Sequence, residues 1–472
     1  MDEDGEDSRD VRDDSKGPRK PRDAPVEDPN DTRTPQERIN DQVTPLWRKS
    51  YEEQLDIKQK RFKNGMGNLK KNLLGFLNAR DVATEKREDL KYVKELGETV
   101  CPLETVVPSP IIDDYRTKCE FTIGFDLDGQ KSVGFLLGLF KDGVTTVLPP
   151  TECKNVPGAA KKVASMLQDF VQGSELPVYD RNSKEGFWRL VLVRTHTTGD
   201  VMVIVQINPV KQDAAVVTSE IEKLSQGFQA SKNVTTLLIQ ESSGQFNGFQ
   251  EGARTRVVFG EGVVHEELLG LRFRISPTAF FQVNTPATNG LYGRVREWCT
   301  NPAPYPGTEA VTEAAVPVDD ASKNKNVVLL DLCCGTGTIG LTMAPNVKRV
   351  VGVEMVAEAV QDAQYNARLQ GCSNVHYICS KVEDAMKEVF SKHVENGDEV
   401  VAVLDPPPCK GIKRVVFISC DFDAAMQNFV DLCRPTSKKF QGRPFRPVRA
   451  VPFDLFPHTS HCEFVMELQR KD

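Results

Sequence analysis

No stretch of this sequence approaches the roughly 18–20 consecutive apolar residues that a membrane-crossing helix needs, so an integral helical membrane protein is excluded. The opening MDEDGEDSRDVRDD has no apolar signal segment and carries too much acid for a transit peptide. A soluble chain is expected, in the cytosol, with the nucleus as a second compartment. Cysteine is sparse as well. Twelve in 472 residues are too dilute for a disulfide scaffold, and none stands in a CxxC pair, so most should be small buried hydrophobes. A strong basic excess is also missing, since the net charge is −7. Residues 1–40 hold 13 acidic against 8 basic side chains, which accounts for five of those seven charges. The remaining chain is close to neutral, a balance that neither demands nor forbids a nucleic-acid partner.

Present instead is a change of grammar along the chain. Residues 1–45 are rich in Asp, Arg, Pro and Ser with few apolar positions, so they are expected to form a disordered acidic tail. Residues 46–100 read as helical and include the basic run 58–63, either a solvated helix face or an RNA contact. Residues 101–275 alternate strand-like runs (119–125, 132–140, 187–195, 201–207) with two helical ones (157–173 and near 212–229), giving an α+β central domain expected to face RNA. The turn Thr197-Thr198-Gly199-Asp200 should close a hairpin. In the last region, 276–472, strand and helix alternate from Val327 onward. That order argues a parallel sheet with helices on both faces, an α/β Rossmann-like fold. Its final runs, RPVRAVPFD and CEFVMEL, should add an antiparallel edge hairpin, and 301–326 reads as a flexible surface insertion.

Four constellations carry chemistry. Asp331-Leu-Cys-Cys-Gly335-Thr-Gly337-Thr-Ile-Gly340 follows a hydrophobic strand and opens a helix, with Glu354 at the end of the next strand. Glycines let backbone approach a ligand, the helix start offers free amides, and a carboxylate there can hold ribose hydroxyls. The pattern fits either S-adenosylmethionine or a dinucleotide. Leu404-Asp405-Pro406-Pro407 ends another strand, where ligands sit in open α/β sheets. Ser419-Cys420-Asp421 ends a third, and its cysteine is either a buried hydrophobe or a nucleophile. His458-Thr-Ser-His461-Cys462-Glu463 could suggest a metal, but no complementary ligand cluster stands elsewhere, and no metal is expected. A carboxylate close to a nucleophilic cysteine suggests proton abstraction instead.

Taken in order, FFQVN (280–284), DLCCGTGTIG, GVEM, LDPP, SC and FPHTSHCE resemble the RNA (uracil-5-)-methyltransferases, and within them the eukaryotic tRNA enzymes of the homologue A type. The likeness runs from about Val43 to the end of the chain, through CPLE (101–104) and YRTKCEF (115–121). It implies a SAM-dependent methyltransferase domain, tRNA as partner, no stable protein partner, and 5-methyluridine as product, with the T-loop as the expected place. It also implies roles. Cys420 takes the place of the nucleophile and Glu463 that of the general base; Gln282, Cys333, Thr338, Glu354 and Asp405 fall where the family contacts S-adenosylmethionine. The reaction explains the need, because carbon 5 of uracil is too weak a nucleophile until a thiolate adds at carbon 6.

The chain departs from the family in three places. Pro408 stands where an Arg follows Asp-Pro-Pro, and Asp421-Phe422 stands where Asn-Pro follows Ser-Cys. Asp421 should raise the pKa of the cysteine beside it. The link between Asp405 and Cys420 is also about a dozen residues short, too short for a helical crossover. It is expected to run extended and to leave apolar sheet surface uncovered. These departures keep a second reading open, a catalytically impaired tRNA-binding or RNA-folding protein. A third reading, a nicotinamide oxidoreductase, rests on GxGxxG and Glu354 alone. For the RNA surface the candidates are the run 58–63 and the segment 438–449, with Arg443, Arg446 and Arg449.

Overall fold

The computed structural model describes residues 31–78, 90–138, 144–243, 248–249, 253–305, 326–403, 411–436 and 443–470. Most of the expected tail, most of the insertion 301–326, and Asp405 lie outside the described residues. The boundary at 45 needs correction, because helix α1 (Pro35–Val43) precedes it. Thr34 and Glu37 form a reciprocal cap, with the Thr34 hydroxyl accepting from the Glu37 amide and the Glu37 carboxylate from the Thr34 amide. Ile39 is fully buried and Asn40 accepts from Cys153. The run TPQE carries this helix start in four residues, a local signal that the polar composition around it masks.

Helix α2 (Tyr51–Asn78) and the single turn α3 (Tyr92–Glu95) lead into a seven-stranded sheet. It comprises β1 (Lys118–Phe125), β2 (Lys131–Leu136), β3 (Val147–Leu148), β4 (Trp188–Thr195), β5 (Val201–Ile207), β6 (Thr236–Glu241) and β7 (Thr255–Phe259), in the order β3-β2-β1-β4-β5-β6-β7. The β4–β5 hairpin closes at the expected turn. Helices α4 (Gly158–Gly173) and α5 (Ala214–Ser231) supply the apolar cover of one face. Every residue of β5 is buried, because the opposite face packs on a small hairpin, β8 (Val264–Leu268) with β9 (Leu271–Ile275).

The second sheet holds the expected alternation. After α6 (Thr285–Thr300) come β10 (Val327–Leu332), α7 (Thr338–Met343), β11 (Arg349–Glu354), α8 (Ala357–Leu369), β12 (Val375–Cys379), α9 (Val382–Lys392), β13 (Glu399–Val403), β14 (Arg414–Ser419), α10 (Phe422–Cys433), β15 (Arg446–Phe453) and β16 (Glu463–Gln469). The order is β12-β11-β10-β13-β14-β16-β15, parallel through β14 and antiparallel at the end. Alternate side chains serve two cores, as a sheet covered on both faces requires. Leu330, Ala402 and Phe417 pack under α2, α9 and α10, while Leu329, Val401 and Val416 pack under α6 and α7.

The expected extended course of the β13–β14 link falls on residues 404–410, outside the described residues, but the flanking strands do not show the expected bare surface. Pairing sets Val401 beside Arg414 and Val403 beside Val416, so β14 begins level with the middle of β13. The return from Val403 to the level of Val401 is only about 7 Å along the strand axis, at ~3.3 Å per residue. Val400–Val403 and Arg414–Ile418 are all buried, and Ile412 fills the adjoining core. The expected bare apolar surface is therefore absent among the described residues. Helices α9 and α10 already cover that face.

Candidate active site

The antiparallel final strand explains why two residues 43 positions apart meet. β14 runs toward the carboxyl edge of the sheet, and β16 starts there and runs back, with Ser419 paired to Phe464. One step further along this register sets Cys420 opposite Glu463. Cys420 is exposed, whereas Glu463 is 4% exposed. Burial raises the Glu463 carboxyl to about 7, against a smaller opposite pull from the Gln282 side chain. The Cys420 thiol is also pushed up, first by its partial burial, then by the Glu463 carboxylate and by Asp421. The expected effect of Asp421 is present, though Glu463 outranks it. Asp421 also serves the fold, because its carboxylate caps α10 by accepting from the Asp423 and Ala424 amides at 3.1 Å each.

Gln282 reaches this pair on the loop before α6. Arg194 donates to the carbonyls of Pro277 and Ala279, and Thr117 donates from its amide to Val283 at 2.8 Å. Asn284 caps α6 through Ala287 N and donates to Leu455 O (3.1 Å), which ties the loop to the β15–β16 connection. Tyr292 of α6 lies between the two halves of the site, its buried hydroxyl facing both Gln282 and Thr338. Sequence reasoning missed Tyr292, because an aromatic at a helical core position carries no signal of its own. Phe280 on the same loop is 72% exposed, a flat apolar surface of the kind on which a base can stack.

The glycine loop after β10 forms the neighbouring cradle. Cys333, Gly335 and Gly337 all have positive φ (57°, 54° and 77°), and Thr338 opens α7. A Cβ at Gly335 would meet nothing within 4 Å, so the loop backbone borders open space. Glu354 ends β11 and is held there by three amides, Gly335 (3.1 Å), Met355 (2.8 Å) and Val356 (2.9 Å), with its side chain still partly exposed. Beneath them Asp331 is fully buried; it accepts from Gly340 N at 2.7 Å through Oδ2, leaves Oδ1 unpaired, and is raised to about 7 by desolvation. A glycine loop that borders open space at Gly335, with the Glu354 carboxylate fixed beside it, fits S-adenosylmethionine. The strand order argues against a dinucleotide, since an antiparallel strand intervenes where a dinucleotide fold continues in parallel.

Of the expected site residues, Cys420, Glu463, Gln282 and Thr338 thus converge, with Cys333 and Glu354 on the adjoining loop; Asp405 lies outside the described residues. The histidine motif is structural. His458 bonds Gln54 and Asp113, Cys462 bonds Phe453 O, and no metal-ligating cluster occurs among the described residues. Both candidate RNA surfaces are narrowed: Lys60 and Lys63 of the run 58–63 stay exposed, and residues 438–442 of the other segment lie outside the described residues. Lys58 is 1% exposed and ion-paired with Asp454, and Phe62 beside it is core. Arg449 binds Glu467 (2.6 Å) and lies over Trp298, while Arg446 lies over Tyr92 and Tyr305. Of that segment's three arginines, only Arg443 remains exposed.

Comparisons with known proteins agree with this arrangement. A methyltransferase-domain family model matches residues 323–437. The chain is 37% identical to the tRNA (uracil-5-)-methyltransferase homolog A of Homo sapiens, across 92% of this chain and 68% of that protein. It is 35% identical to homolog B of Homo sapiens, across 92% and 84%. Among solved structures, the Pyrococcus abyssi tRNA (uracil-54, C5)-methyltransferase in complex with S-adenosyl-L-homocysteine matches with a TM-score of 0.57 at 18% identity. That match covers 90% of this chain and 84% of the other, a likeness of fold.

Proposed function

We propose, from the premise that the chain belongs to the tRNA (uracil-5-)-methyltransferase family, that it methylates carbon 5 of a T-loop uridine through a covalent Cys420 adduct. It is a methyltransferase that uses S-adenosylmethionine and takes tRNA as substrate. Gln282, Cys333, Thr338 and Glu354 would hold that cofactor, with Asp405 assigned by resemblance alone. When bound, S-adenosylmethionine supplies a sulfonium methyl group, which carbon 5 of the uracil receives.

The protein's own residues do the rest. The Cys420 thiolate forms a bond to carbon 6, the carbon 5–carbon 6 double bond opens, and its electron pair moves onto carbon 5 and the carbonyl oxygen. After methylation Glu463 removes the carbon 5 proton; the double bond re-forms and the thiolate leaves. A carboxylate whose pKa is near 7 is suited to taking that proton at neutral pH. To reach the crevice the target base must leave its stack. The observation that carries this reading is the register that sets Cys420 opposite a buried Glu463, beside Gln282.

Trapping with 5-fluorouridine-containing tRNA tests it. Fluorine stands where the proton must be removed, so the adduct should persist with the wild type and be missing in Cys420→Ala. If the wild type binds tRNA but never forms the adduct, the chain is the impaired RNA-binding protein to which Asp421 points.

A further inference from the structure

One stripe of helix α2 is buried along its length, and its first half is Gln54, Lys58, Phe62 and Gly65. Every one of these touches a segment next to Cys420 or Glu463. Gln54 accepts from the His458 amide at 2.7 Å. Lys58 donates to Asp454 at 2.6 Å and to Phe456 O at 3.1 Å. The Phe62 ring stacks on Phe464, the residue after Glu463, with centroids 5.1 Å apart, and meets the edge of Phe422 at 5.9 Å. A Cβ on Gly65 would come within 2.5 Å of Phe422, two residues past Cys420, so the helix backbone lies directly against the ring.

Arg61 stands at the rim of this stripe. Its guanidinium holds Asp423 at 2.7 Å, lies 3.8 Å from Asp421, and donates to Ser460 O at 3.1 Å. One planar fork thus bridges the loop that follows Cys420 and the loop that precedes Glu463.

We propose that Arg61 is a positioning residue for catalysis: it fixes the Cys420 and Glu463 loops relative to each other and offsets the acidic charge beside the nucleophile. The inference rests on the roles given above to Cys420 and Glu463. The charges that act on the Cys420 thiol are Glu463 from β16 and Asp421 at the start of α10, both negative. Arg61 from α2 faces Asp421 and Asp423 and is the counterweight to that acidic turn. Without it the thiolate is disfavoured and the loop is free to shift. A displacement near 1 Å can cost roughly 100-fold in rate.

Arg61→Ala should therefore slow adduct formation with 5-fluorouridine tRNA by at least tenfold at saturating tRNA, with tRNA affinity changed less than about twofold. Its Cys420 alkylation profile should move to higher pH, and Asp421→Asn, which keeps a capping side chain, should move it back. Arg61→Lys should recover part of the rate, since an ammonium keeps the charge but cannot bridge as a fork. Arg61 is 38% exposed, so the variant is expected to fold, and unchanged far-ultraviolet dichroism would verify it. An unaltered adduct rate and alkylation profile would overturn the proposal. So would a loss confined to tRNA affinity with a flatter salt dependence, which would make Arg61 a phosphate contact. Failure of the Cys420 reading is separable, since there the wild type itself forms no adduct.

Discussion

At the scale of single residues, the site sets two acids against each other. The Glu463 carboxylate disfavours the Cys420 thiolate, so the base delays the nucleophile it later releases. Glu463→Gln should thus alkylate faster at Cys420 near neutral pH and still form the RNA adduct, but fail to release product. A variant that turns over normally would remove Glu463 from the role of base. The same substitution reports on stability. A carboxyl raised from 4.5 to about 7 favours the fold most below pH 4.5, and that contribution is lost as pH rises to about 7. The ionised group then costs the fold about 3–4 kcal/mol, taking ~1.4 kcal/mol per pKa unit. Urea unfolding should show Glu463→Gln gaining on the wild type from pH 5 to pH 8, and a constant difference would contradict the assigned burial penalty.

At the scale of elements, the glycine loop and the helix after it work as a unit, and two of its glycines do different things. Gly337 has φ 77°, and a Cβ there would collide with the Tyr377 hydroxyl, which rises from β12. Gly335 has φ 54° with open space around it. Gly337→Ala should therefore lower stability by roughly 1–3 kcal/mol, since strain and overlap add. Gly335→Ala should cost about 1 kcal/mol or less through φ alone, yet weaken S-adenosylhomocysteine binding, because its methyl enters the space the ligand needs. Thermal melts and calorimetric titration of the two variants decide between a packing and a binding role. Equal stability losses with unaffected binding would show that the loop does not border the cofactor.

At the scale of the whole molecule, the two sheets share a core. Leu192, Met202, Ile204 and Leu238 of the first sheet belong to one cluster with Val264, Phe273, Leu291 and the α6–β10 region of the second. A buried carboxylate crosses the same junction: Glu266 of β8 bonds His196 at 3.0 Å and Thr285 of α6 at 2.8 Å. Chains of this length usually unfold domain by domain. Here the shared apolar surface should make both sheets melt together, and S-adenosylhomocysteine should raise that single transition. Calorimetry would show matching calorimetric and van't Hoff enthalpies. Two transitions, with only one moved by the ligand, would mean that the junction is weaker than its burial indicates.

Much of this can be read from the residues in order. The strands 118–125, 188–195 and 201–207, the strand–helix alternation after Val327 and the final antiparallel pair follow from local periodicity, and local periodicity is written in sequence. Cys420, Glu463, Gln282 and Thr338 stand out by their company of motifs, and the fold brings them together. Lys58, Arg61 and Arg449 cannot be read this way. A lysine in a basic run and an arginine among aromatics look solvent-facing until a distant carboxylate or ring is known to lie beside them, and Asp454 is almost 400 positions from Lys58. The short β13–β14 link misleads for a similar reason, since its reach depends on a strand register that no local pattern encodes. The order of residues therefore dictates which elements form and which side chains carry the chemistry, because both depend on neighbours within a few positions. Which charges are buried, which loops α2 braces, and that an antiparallel strand returns Glu463 to Cys420 are settled by the packed fold, because they depend on contacts between segments that the chain holds far apart.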